Sequence, residues 1–139
     1  MKKVPNKEML ILEIPKWGRY LRERWRELFA GHLTYEEQKE IGMDYFLWHL
    51  CSWERVECLE KEAAIEAFHK QAKHKFMVFY QFVDEAYLFE HARSLKVTDL
   101  PYVEAHMNYS DMYVMDWDNG WSFILTHESE IGPFFIKRY

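Results

Sequence analysis

The stretch that most constrains this chain is Asp118-Asn119-Gly120-Trp121. Asn-Gly between two apolar runs is the signature of a two-residue type I′ turn, because both residues tolerate the positive φ that its central positions demand. Such a turn commits the flanking runs to antiparallel pairing. It also predicts a register in which Asp118 faces Trp121, Asp116 faces Phe123 and Val114 faces Leu125. A second antiparallel pair is expected nearby. Residues 76–83 (FMVFYQFV) are apolar on both alternating sets, as an interior strand covered on two faces requires. Asp84 and Glu85 turn that run, and residues 87–90 return as a further strand. Residues 9–14 read as a short strand too.

Helical spacing is equally plain elsewhere. Trp17, Leu21, Trp25, Leu28 and Phe29 fall within about 120° of a helical wheel, which predicts an amphipathic helix closing near Gly31. Pro15 suits its approach. Thr34 followed by Glu37 is a capping box, with Gly42 as the stop for a two-turn helix. Residues 59–71 are rich in helix formers, with Leu59, Ala63, Ala64, Ala67 and Phe68 on one side. The aromatic run at 45–53 (YFLWHLCSW) reads as a buried strand, with a helix as the alternative, because periodicity does not arbitrate runs this short. The expected fold class is α+β: an antiparallel sheet of about four or five strands with two or three packed helices. With no linker, repeat or low-complexity tract, residues 1–139 are expected to form one globular domain.

Composition narrows the function classes. The chain is 49% hydrophobic with net charge −5, enough apolar material to offset chain entropy, so disorder is excluded. No apolar run reaches the length of a membrane span, and the one after Lys2 and Lys3 is too short for a signal peptide. A cytoplasmic location is expected. Cys51 and Cys58 are too few for a disulfide framework and stand at no familiar zinc spacing, so reduced thiols are expected. Residues 76–139 carry net charge −6 against +1 for 1–75, which argues against nucleic acid. Arg19, Arg22 and Arg26 form a stripe on the first helix, expected to be a solvated face balanced partly by Glu23.

The candidate chemistry follows from the hairpin. Seven pairs from the turn, the predicted register sets Asp111 opposite Glu128. Like charges facing each other in a sheet require a cation, a basic side chain or a shared proton, so the pair is a candidate metal site. The plainer outcome is a ladder that frays before reaching them. His127 is expected on the opposite face, beside Trp121, Phe123 and Leu125, and His49 sits in the aromatic run between Trp48 and Leu50. Catalytic candidates are therefore His49, His127 and Glu128, with Asp111 or Asp116 as further base or ligand. Trp48, His49, Trp53, Asp116, Trp117 and Trp121 are candidate binding residues, since Trp supplies large contact area at low entropic cost. Zincin, nucleophile-elbow, dinucleotide and phosphate-loop motifs do not occur.

Several motifs together resemble one family. IPKWGRYLRERW from Ile14, LWHLCSWERVECLEKEAAIEAF from Leu47, DMYVMD from Asp111, THE at residues 126–128 and GPFF from Gly132 are similar to an uncharacterised family of small bacterial proteins, domain of unknown function number 4275. Trp48, His49, Thr126, His127, Glu128, Gly132 and Pro133 stand at the positions of its motifs. The resemblance implies a bacterial cytoplasmic protein and brings no activity, cofactor or partner. From the residues alone, the leading expectation is a binding or interaction protein for a protein or small-molecule ligand. The alternative is a hydrolase using a His/carboxylate site, with or without a metal.

Overall fold

The structure, a computed structural model, describes residues 8–103, 106, 108–128 and 130–138. Among these described residues seven strands form one antiparallel sheet: β1 Leu10–Glu13, β2 Leu59–Glu60, β3 Lys75–Tyr80, β4 Tyr87–Glu90, β5 Met112–Asp116, β6 Trp121–Leu125 and β7 Phe134–Lys137. Their order across the sheet is β1-β4-β3-β5-β6-β7-β2. Four α-helices accompany it: α1 Gly18–Phe29, α2 Tyr35–Glu40, α3 His49–Ser52 and α4 Lys61–Lys70. The α+β class holds. The sheet is larger than the four or five strands expected, because β2 and β7 are short segments whose pairing with each other and with β6 is non-local.

Both faces of the sheet are covered. On one, α1, α3 and the two residues before α3 bury Leu21, Trp25, Phe29, Leu47, Trp48 and Leu50 against Phe79, Tyr113, Met115, Ile124, Phe134 and Ile136. On the other, Ala64 and Phe68 of α4 pack on Phe76, Val78, Met112, Val114, Trp121, Phe123 and Phe135. Each of these large side chains, fully buried, contributes about 1.5–3 kcal/mol. The doubly apolar run at 76–83 is thus explained, since β3 lies between β4 and β5 and supplies residues to both cores.

Local chemistry fixes the helices. Trp25 has no exposed surface, and its Nε1 donates to Ser122 Oγ at 2.9 Å, which in turn donates to the Val114 carbonyl at 2.7 Å. That relay pins α1 to the central strands. At the start of α1 a Cβ on Gly18 would meet the backbone of Asp84 at 2.7 Å, so only glycine permits the approach. The capping box forms in full: Glu37 N donates to Thr34 Oγ1 at 3.1 Å, and Thr34 N to Glu37 Oε1 at 3.0 Å. Lys73, buried, closes α4 by donating from Nζ to the carbonyls of Phe68, His69 and Gln71.

Three local expectations are corrected. The run at 45–53 is not a strand: residues 45–48 turn into the four-residue α3. Its backbone finds partners other than a ladder, since Leu47 N donates to Gln81 Oε1 and Trp48 N to Tyr113 Oη. The arginine stripe is solvated at Arg19 but not at Arg22 and Arg26. Arg22 donates to the carbonyls of Tyr80 and Val83 and pairs with Asp84 at 2.8 Å, while Arg26 reaches Gln38, the Met43 carbonyl and Asp44.

The third correction is the hairpin register. Asp116, not Asp118, faces Trp121, and the ladder ends at Met112 opposite Leu125. The turn holds four residues, 117–120, because the Asp116 carboxylate accepts from Asn119 N at 3.0 Å and Asn119 Nδ2 at 2.8 Å while Gly120 N donates to the Asp116 carbonyl. An aspartate closing the loop by its side chain overrides the two-residue preference of Asn-Gly. The shift is two residues, so each side chain keeps its face.

Candidate functional site

Where β5 and β6 part, at the open end of their hairpin, the chain builds a polar cluster inside an aromatic wall. Asp111, the residue before β5, has φ +53 and so leaves the extended conformation. This departure ends the ladder and turns its carboxylate inward, where it has no exposed surface. Asp111 Oδ1 accepts from Trp48 Nε1 at 2.8 Å and from the backbone N of His127 at 3.1 Å. Both carboxylate oxygens lie 2.9 Å from His127 Nδ1.

These contacts settle the imidazole. A carboxylate has nothing to donate, so His127 Nδ1 carries the proton, and in the neutral ring Nε2 is the lone-pair nitrogen. That nitrogen lies 3.6 Å from Glu128 Oε1, and the His127 side chain is 20% exposed. Thr126 holds the following bend by donating from Oγ1 to the carbonyls of Glu128 and Ile131. The predicted facing of Asp111 and Glu128 is therefore corrected: His127 stands between them. Its ring also lies on the α1–α3 face, against Phe46 at 5.1 Å and Trp48 at 6.1 Å, not on the Trp121–Phe123–Leu125 face. The strand stops at Leu125, and the bend that follows breaks the alternation on which that expectation rested.

His49 shares the same wall. Its ring packs on Trp48 at 4.7 Å and Phe46 at 5.4 Å. Its Nδ1 donates to the Gly42 carbonyl at 3.0 Å, again leaving Nε2 as the free nitrogen of the neutral ring. Gly42 has φ +78, and a Cβ there would come within 2.7 Å of His49 Nδ1, so glycine is required twice over. Beneath the cluster Tyr113 donates to Gln81. Burial first, and the Asp111 charge second, push the Tyr113 phenol well above the usual tyrosine range.

The other expected residues disperse. Trp121 is buried on the opposite face among Phe68, Phe76 and Phe135. At the closed end of the hairpin Asp116 is buried in the turn and Trp117 lies under the Arg24 guanidinium at 3.7 Å. Trp53 is exposed at the end of α3. Cys51 and Cys58 carry free thiols, and burial pushes the Cys51 thiol up. Among the described residues, no group of three or more His, Cys, Asp or Glu side chains is placed to hold a metal ion, and no helix is long and apolar enough to cross a membrane.

Phe46 and Tyr113 are members of the cluster that sequence reading missed, and Asp111 was assigned the wrong partner. Asp116-x-x-Asn119 could have signalled the longer turn and hence the right register. Nothing in the sequence foretold that Trp48 would reach Asp111.

No curated protein and no solved structure matches the chain. A family model described as a domain of unknown function, DUF4275, matches residues 1–135, nearly the whole length. The protein belongs to that family.

Proposed function

We propose that the open end of the hairpin is the working site of a small binding protein of the bacterial cytoplasm, which engages a protein or small-molecule ligand through His127. The supporting observation is the use made of Asp111. A fully buried carboxylate is costly, and this one is spent on holding by one nitrogen an imidazole whose side chain is 20% exposed. Phe46 packs on the ring and the 47%-exposed Phe82 packs on Phe46 in turn, so a ligand there meets one oriented acceptor beside an aromatic surface. Glu128, 49% exposed, would pair with a cationic group of the ligand. Native mass spectrometry of the protein isolated from its own cells tests this. A bound mass on the wild type that is lost in His127→Ala supports the reading; a mass unaffected by the substitution, or none on either protein, refutes it.

A hydrolytic reading has one observation in its favour. Carboxylate, Nδ1–H and free Nε2 are the orienting acid and general base that activation of a water or hydroxyl requires. It predicts turnover of activated esters or phosphoesters that His127→Ala abolishes. Equal rates for variant and wild type would dismiss it.

A further inference from the structure

Among the described residues β1 is an edge strand whose ladder partner is β4. Edges in soluble proteins are blunted by lysine, proline or a bulge, because a bare row of N–H and C=O groups invites another strand. Here the edge is apolar instead: Met9, Leu10, Ile11 and Leu12 are 43–50% exposed. The register sets Leu12 beside Leu88 and Leu88 beside Met77, so all three lie on the face that carries α1. On the flank of α1, Trp17 and Tyr20, 46% and 53% exposed, meet edge-to-face at 5.5 Å. With Met77, Arg24 and Trp117 they line a groove of about 210 Å³. The apolar edge thus runs through Leu88 and Met77 to a groove whose aromatic walls are joined by Arg24, Lys75 and Asp118.

The backbone of this edge is self-complementary. Ile14 N donates to the Ala86 carbonyl at 2.9 Å. By the alternation of an antiparallel pair, Leu10 and Leu12 also aim their backbone groups at β4, and Ile11 and Glu13 aim theirs outward. A two-fold axis through Ile11 would set Ile11 opposite its counterpart, Leu10 opposite Leu12 and Met9 opposite Glu13. Ile11 then meets Ile11 and Leu10 meets Leu12, while Met9 lies beside the aliphatic stem of Glu13 and the two Glu13 carboxylates stay roughly 13 Å apart. Met9, Leu10, Ile11, Leu12, Trp17 and Tyr20 together expose on the order of 600 Å², the upper limit for the largest patch on a monomer. Complete burial of these residues on both copies would remove at most roughly 1,200 Å², where stable specific interfaces begin.

We propose that the occupant of this edge is a second copy of the chain, its β1 antiparallel to the first, joining two seven-stranded sheets into one. Sedimentation equilibrium from micromolar to submillimolar concentration tests it. The wild type is expected to reach twice its 17.1 kDa mass. Ile11→Lys, which sets two ammonium groups face to face, should weaken self-association at least tenfold with an unchanged far-UV spectrum, while Ile11→Val retains the dimer. Hydrogen exchange supplies a readout that needs no variant: protection of the Ile11 and Glu13 amides should rise with concentration, and that of Leu10 and Leu12 should not. A wild type that stays monomeric throughout, or a dimer indifferent to Ile11→Lys, overturns the proposal.

Discussion

The β5–β6 hairpin carries a buried aspartate at each end, and the two are put to different use. At the closed end Asp116 accepts from the backbone and side chain of Asn119, three residues on, and thereby sets the length of its own turn. At the open end Asp111 accepts from groups far along the chain, the Trp48 indole and the His127 backbone and ring. The first carboxylate completes a local structure and leaves nothing over. The second organises a titratable side chain that reaches the surface. Burial of an acid is thus no guide to function by itself; the informative question is what its hydrogen bonds hold in place.

The comparison breaks most readily at Asp111. Asp111→Ala should strand the Trp48 indole and both His127 donors in a closed space, at a cost of about 3–5 kcal/mol in urea unfolding. Asp111→Asn keeps an acceptor for Trp48 and should recover more than half of that. Asp116→Ala should cost only about 1–2 kcal/mol, because water reaches the donors of an exposed turn. If the two alanine variants were equally destabilised, the contrast between the ends would disappear.

High pH sharpens the picture at the Tyr113 side. Burial raises the phenols of Tyr113 and Tyr80 above the ordinary tyrosine value of 10. Once pH passes that value the unfolded chain loses these protons while the native state keeps them. The native state then binds more protons, and stability falls as pH rises. Absorbance near 295 nm should show phenolate forming first at exposed tyrosines, with these two appearing only on unfolding. Early ionisation of all nine tyrosines would contradict the closed floor of the cluster. The smallest effect is expected at His127 itself: a partly exposed ring with water as a substitute should cost His127→Ala about 1 kcal/mol or less.

Much of this was legible in the sequence. Helical spacing placed α1, a run apolar on both alternating sets and the turn after it placed β3 and β4, and the Thr34–Glu37 spacing placed α2, because in each case local chemistry and burial ask for the same conformation. The aromatic run at 45–53 was misread because apolar content says that a segment is buried and not how its backbone is satisfied; Gln81 and Tyr113, more than thirty residues distant, supply those acceptors. At the candidate site His49, His127, Glu128 and Trp48 were visible as residue types. Their assembly was not, because it hangs on one backbone angle at Asp111 and on a turn two residues longer than Asn-Gly prefers.

The direct measurement for the central claim is the tautomer of neutral His127, read from long-range nitrogen–proton NMR correlations of the imidazole. With Asp111 holding the inner nitrogen, the proton should reside on Nδ1, and Asp111→Asn should perturb that preference while Asp116→Asn leaves it alone. A neutral ring protonated at Nε2 in the wild type would show that Asp111 does not orient it.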